Sequence, residues 1–308
     1  MNQLTQRLVV PVSSRLAEPP GPALASNLRA FRFLLLLHVA VQSWGYVVVP
    51  IRAAHLAFPP VGAVIVASLL TLCAFSSLTR FGQFAPILAL PPLLIRLSWS
   101  GLWIPNHTFL VFFCVLLTAV LDPDRDDESV LLLQSLRWLT AMVLFYTGLQ
   151  KVMHGLWFRG EFLTWMVGRG NDNWRWVFGW LVPEEEVQRL FGLGYGPDTG
   201  PYRVQSTALL LLSNLTYVAE MALPVLLVIR RTRVAATLVA ILFVFTIQLA
   251  PREFMFVLCF TNLLILFLPV GWNRRLAPLI ALGYLYLLAA ALRPDWFGDF
   301  ALKAAGRI

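Results

Sequence analysis

Lys151 ends the apolar run 130–150 and opens the stretch Lys151-Val152-Met153-His154-Gly155-Leu156-Trp157-Phe158-Arg159-Gly160. An amine held at the rim of a hydrocarbon slab loses hydration and gains the character of a base. On a helix, Gly148, Lys151, His154 and Gly155 fall on one side, because positions three and four apart are neighbours. Gly148 then leaves room beneath the amine for a flat ligand, and His154 either relays a proton with Lys151 or wets its ring at the interface. A lysine in this position is also explained as a snorkelling anchor of a helix end.

A second group of residues, Trp103-Ile104-Pro105-Asn106-His107-Thr108-Phe109-Leu110, lies at the turn between the third and fourth apolar segments. Alternation of segments puts His107 on the same side of a membrane as Lys151. An imidazole and an amine at one bilayer depth suit base chemistry on an apolar ligand, one group taking a proton and the other steadying the charge that develops. The alternative is a ring hydrogen-bonded at a turn. Asn106 stands beside it as a supporting polar group. Glu220 is the sharpest polar residue inside an apolar run. It demands a partner, with Arg137 or Arg96 expected, in a structural pair or in proton handling.

The elements that must position these groups are read from composition. Hydrophobic residues make up 58% of the 308-residue chain and charged residues 13%, and mean hydropathy is +0.73. A soluble domain carries roughly twice that share of charge, so the chain belongs in a bilayer. Apolar segments at 30–49, 60–78, 84–103, 108–121, 130–150, 205–229, 234–250, 254–270 and 277–292 predict an all-α integral membrane protein, a polytopic bundle of about nine helices. Residues 28–292 form its transmembrane domain, between an N-terminal tail, 1–27, and a C-terminal tail, 293–308. The formal charge of +8 sits mostly in loops and at segment ends, which excludes a nucleic-acid partner. Arg7, Arg15, Arg29, Arg80, Arg230, Arg231, Arg233, Arg274 and Arg275 fall on one side if the N-terminus is cytoplasmic and the C-terminus outside.

The longest polar stretch, 152–204, mixes Trp157, Trp165, Trp174, Trp176 and Trp180 with Arg159, Arg169 and Arg175. Indoles flanked by Arg suit the headgroup layer. Short helices lying on the membrane surface are expected there, capping the Lys151 site. Cys73, Cys114 and Cys259 lie within apolar runs without ligand spacing, so neither a disulfide framework nor a metal site is expected.

Taken together, Trp103, Asn106, His107, Thr108, Phe109 and Leu110, then Tyr146, Gly148, Leu149, Lys151, Trp157 and Gly160, resemble the vitamin K-dependent gamma-carboxylase superfamily and its bacterial relatives, the horizontally transferred transmembrane (HTTM) domain proteins. In that family a Gly is followed three positions later by the Lys that acts on reduced vitamin K, then by a Trp and a Gly, and an Asn-His pair precedes a membrane segment. The resemblance covers residues 28–292. It implies that Lys151 is the base and His107 its partner, and that a reduced quinone is the cofactor, oxygenated to an epoxide so as to drive proton abstraction and carboxylation of a substrate. Tyr146, Gly148, Trp157 and Phe158 are the residues expected to contact the quinone ring. Family members also carry a His near the loop before the eighth segment, where this chain has Gln248. The expected location is a bacterial inner membrane, with the lipid bilayer and a small apolar quinone-like ligand as partners. A non-catalytic accessory, immunity or transport protein on the same scaffold is the alternative.

Overall fold

The computed structural model describes residues 20–53, 61–99, 106–168, 177, 182–192, 205–249 and 253–292. Among them every regular element is helical and no strand occurs. The helices are α1 Pro22–Ala53, α2 Val61–Ser76, α3 Ala85–Trp99, α4 Asn106–Val120, α5 Asp126–His154, α6 Glu161–Gly168, α7 Glu184–Gly192, α8 Thr207–Val228, α9 Arg233–Gln248, α10 Phe254–Ile265 and α11 Trp272–Leu292, with one 3-10 turn at Gly82–Phe84.

Four of these hold a stretch long and apolar enough to cross a bilayer: Pro22–Gly45 of α1, Asp126–His154, Thr207–Val228 and Trp272–Leu292. Helices α2, α3, α4, α9 and α10 are as apolar but shorter. At 1.5 Å per residue, a sixteen-residue helix such as α2 covers about 24 Å, less than the roughly 30 Å of hydrocarbon. This is the architecture of a helical membrane protein, and each predicted apolar segment holds one of these helices. Helix α1 starts earlier than its apolar run, at Pro22, a residue whose fixed φ suits a first helical position. Residues 22–27 of the expected tail are therefore helical, with Leu24 and Asn27 buried.

The bundle is built around α1 and α10. Between residues 31 and 43 of α1, Phe33 is the one side chain not buried, and the run from Cys259 to Leu268 is buried throughout. Such all-round burial makes an unpaired polar side chain costly, and the asparagines in these helices find partners inside. At one end Asn27 Nδ2 donates to Asn273 Oδ1 at 3.0 Å, and Asn27 Oδ1 accepts the backbone N–H of Asn273 at 3.1 Å. Asn262 Nδ2 donates to the Phe31 carbonyl at 3.3 Å. Three asparagines thus pin α1, α10 and α11 together.

Two buried arginines, Arg96 and Arg137, are used in the same way. Arg96 Nη2 donates to Gln42 Oε1 at 2.7 Å and Nη1 to Ser43 Oγ at 3.3 Å, joining α3 to α1. Arg137, fully buried in α5, donates from Nε to the Leu266 carbonyl at 2.8 Å. Leu266 is the C-cap of α10, so the guanidinium bonds a carbonyl at a helix end.

Candidate functional site

Helix α5 positions the site. Its first turn carries Asp126, Asp127 and Glu128 and its last turn Lys151 and His154, charges that oppose the helix dipole at both ends. Gly155 stops it in the left-handed conformation, φ 71°, which a residue with a Cβ adopts only at a cost. Lys151 therefore sits in the last turn, where its side chain can swing over the neighbouring helix.

That neighbour is α8. Lys151 Nζ donates to both carboxylate oxygens of Glu220, at 2.5 and 2.6 Å. The lysine side chain is 16% exposed and the glutamate 1%. The partner of Glu220 is thus Lys151 and not Arg137 or Arg96, which serve α10 and α1. Lys151 lies at the level of the middle of α8, whereas both arginines are spent on other helix contacts. The amine is not isolated in an apolar pocket; it is half of a buried ion pair.

Gly148 makes the pairing feasible. A Cβ there would lie 2.8 Å from Met221 Cγ, 2.9 Å from Glu220 Cβ and 3.0 Å from the Tyr217 carbonyl. The space that the spacing of Gly148 and Lys151 suggested for a flat ligand is filled by α8 itself. One turn of α5 without a side chain lets the two backbones approach, and this brings Glu220 under the amine.

The turn after α5 covers the pair. Ser213 Oγ donates to the Trp157 carbonyl at 2.7 Å and Asn214 Nδ2 to the Phe158 carbonyl at 3.2 Å, while Tyr217 Oη donates to Asn214 Oδ1 at 2.8 Å. Held so, the Trp157 ring lies 4.9 Å from Lys151 Nζ and stacks on Phe162 at 4.7 Å. An indole face beside an ammonium adds cation–π attraction. Phe158 packs edge-on against Tyr217, with ring centres 5.1 Å apart. Ser213, Asn214, Tyr217 and Glu220 form a polar stripe on α8. Sequence reasoning singled out Glu220 and missed the stripe, though the spacing of the four inside an apolar run was its signal.

Beside the pair opens a cavity of about 1250 Å³, walled by α4, α5, α8, α9 and α10. Lys151, Glu220, His107 and Tyr146 all line it, together with Gln248 and Glu253. Most of the remaining wall is aliphatic or aromatic, including Phe109, Phe145, Phe256 and Phe260. The His107 ring, in the first turn of α4, lies 5.7 Å from that of Phe256. Gln248 Oε1 is a buried acceptor with no hydrogen-bond partner. The sequence-derived residues therefore divide. His107, Tyr146 and Lys151 meet at one cavity, and Trp157 reaches it through the amine. Phe158 faces Tyr217, Gly148 serves the helix contact, and His154 is exposed and away from the cavity wall. Asn106 is the first residue of α4; its side chain, like Trp103, lies outside the described residues.

Two short helices, α6 and α7, occur in the stretch expected to lie on the membrane surface. Glu186 of α7, 6% exposed, accepts the Gln205 backbone N–H at 2.6 Å and Arg189 Nη2 at 3.3 Å, tying α7 to the start of α8. Leu163, Val182 and Leu209 form a small core beneath. Trp174, Trp176, Trp180, Arg169 and Arg175 lie outside the described residues.

An apolar chamber with one ion pair, one imidazole and one unpartnered acceptor can hold a neutral, ring-sized ligand bearing hydroxyl groups and exchange a proton with it. No protein-family profile, curated protein or solved structure matches this chain.

Proposed function

We propose that the chain is an HTTM-type relative of the vitamin K-dependent gamma-carboxylases, a membrane enzyme acting on a reduced quinone at the outer leaflet of a bacterial inner membrane. On this reading all nine apolar helices enter the bilayer, with the N-terminus inside and the C-terminus outside. The single observation that carries it is the meeting of Lys151, Glu220, His107 and Tyr146 at one large apolar cavity.

The residues fit such a group. The wall takes a flat apolar ring, and the buried Gln248 carbonyl supplies an acceptor for a hydroxyl at a site that otherwise leaves it unsatisfied. A reduced quinone bound there supplies, on reaction with dioxygen, epoxide formation and with it a base strong enough for proton abstraction and carboxylation. The protein's part is proton handling and exclusion of water. In the ion pair, Lys151 passes one proton to Glu220 and becomes a free amine; it then takes the proton from the ligand hydroxyl oxygen. The result is a protonated Glu220 and an ammonium at Lys151, with the ammonium beside the negative oxygen it has produced. Because Lys151 donates to both oxygens of Glu220, the two residues act together in this transfer. His107 lines the same cavity, where its ring can hydrogen-bond a ligand hydroxyl, and Trp157 covers the amine.

The non-catalytic reading has one observation in its favour: a closed lysine–glutamate pair also serves as a plain structural joint between α5 and α8. The test is to supply the purified protein, in lipid, with reduced vitamin K and oxygen and to assay the epoxide. Epoxide from the unaltered protein and its loss in Lys151→Ala are expected. No epoxide from any quinone tested, with bound lipid unchanged by that substitution, would refute the enzymatic reading and leave the joint.

A further inference from the structure

Helix α1 packs against α11, and the Asn27–Asn273 bond joins them at one end. Gln42, about 22 Å further along α1, is bonded to Arg96 of α3. His38 stands between these levels. At about 100° per residue, Asn27, His38 and Gln42 lie within about 60° of one another, on one face of α1. What His38 bonds sets it apart from the other two. Among the described residues neither of its ring nitrogens has a hydrogen-bond partner, and neither has the hydroxyl of Tyr284 in α11. The two rings are in contact, with centres 5.5 Å apart at 67°, and both residues are fully buried. Leu34, Leu37, Val41, Ile280 and Leu287 belong to the apolar cluster around Tyr284, and their side chains offer nothing to bond. A buried polar group left unbonded loses its hydration without return. Leucine and phenylalanine would fill the same space without that loss.

We infer that His38 and Tyr284 form a binding site for one small neutral molecule that both donates and accepts, a water, which accepts from Tyr284 Oη and donates to the free ring nitrogen of His38. A neutral imidazole and a phenol each carry one donor and at least one acceptor, so a single water matches them without any ionisation. Two bonds of about 2.8 Å through one water oxygen span roughly 5–6 Å, the scale of the ring separation. The bridge holds α1 to α11 in the middle of the bundle, as the asparagines do at its end. The apolar packing disfavours any ion there, and the charge of Arg96, which acts on His38, disfavours a cation further. His107 of α4 also acts on His38, and Cys259 of α10 on Tyr284. Neither His38 nor Tyr284 lines the main cavity. The site therefore stands apart from the chamber and does not depend on the quinone reading.

Pulsed X-ray radiolysis of the full chain in nanodiscs, read by mass spectrometry, tests the site. Hydroxyl radicals made in bulk solvent do not reach a fully buried ring, whereas a water held against it is activated in place and hydroxylates it. Phe31, Phe260 and Phe267 are equally buried and serve as controls within the same molecule. Expected is hydroxylation of Tyr284 several-fold above these three rings, falling to their level in His38→Leu. Tyr284→Phe keeps the ring and removes only the oxygen. With a water bonded there it should melt below the parent, and with Oη unbonded it should melt at or above it. This second measurement decides the matter if His38→Leu fails to fold. Tyr284 labelled no more than the buried phenylalanines, or Tyr284→Phe as stable as the parent, would overturn the inference. A direct His38–Tyr284 bond would give the loss of stability without the label, and would overturn it equally.

Discussion

Breaking the Lys151–Glu220 pair from either side should destabilise the fold unequally, and the inequality follows from depth. Glu220 is 1% exposed and Lys151 16%, so the carboxylate is the group with no access to water. Removing one partner of a buried pair costs about 3–5 kcal/mol, because the other is left as an uncompensated charge, while replacing both by apolar groups of similar size is near neutral. Lys151→Met strands the deeper group and belongs near the top of that range, about 5 kcal/mol. Glu220→Leu strands an amine that can still reach partial hydration and keeps the Trp157 face 4.9 Å away, which puts it nearer 3 kcal/mol. The double substitution should lie within about 1–2 kcal/mol of the unaltered protein, giving a coupling well above the few tenths seen for independent sites. Reversible unfolding in mixed micelles, followed by circular dichroism, measures all four forms of the cycle. Additive costs would refute the reasoning, since they would mean that the two charges do not depend on each other. A costlier Glu220→Leu than Lys151→Met would refute the assignment of depth.

Further expectations follow from the same contacts. Gly148→Ala should cost about 1–3 kcal/mol by overpacking, because its methyl group meets Glu220 Cβ and Met221 Cγ inside 3.0 Å; unfolding midpoints unchanged from the parent would show that α5 and α8 are not closely packed there. Trp157→Leu removes a ring stacked on Phe162 and set over the amine and should lower stability by about 1–2 kcal/mol, read as a drop in melting temperature that Lys151→Met largely abolishes. Asn27→Ala leaves Asn273, fully buried, short of two bonds, at about 1–3 kcal/mol for each unsatisfied group. Faster hydrogen exchange at the start of α11 would register that loss, and unchanged exchange would exclude the knot.

The helices were legible from composition because a spanning backbone has one economical solution, to bond to itself, so long apolar runs become helices at the places where they occur. The candidate residues were legible in part. Lys151, His107 and Tyr146 stand at the ends of apolar runs that must start or stop at comparable depth, and they do line one cavity. The partner of Glu220 was not legible. Sign alone admits any buried cation, and the choice among Lys151, Arg96 and Arg137 depends on the rotation of α5 against α8 and on how near they approach. Gly148 decides that approach, and its role is visible only once Met221 and Tyr217 are seen opposite it.

What the chain by itself determined is therefore the medium, the helical class and the sites where polar groups must be accounted for. These follow from local properties, namely apolar length, hydropathy and the energetic cost of an unpaired charge in hydrocarbon. The tertiary structure decided which of those groups meet. It paired residues 69 positions apart, gave Arg137 to the end of α10, sent His154 outward, and set a large cavity beside the ion pair. Pairing across helices is set by their rotation and spacing, which are fixed by packing of the whole bundle and by no single segment.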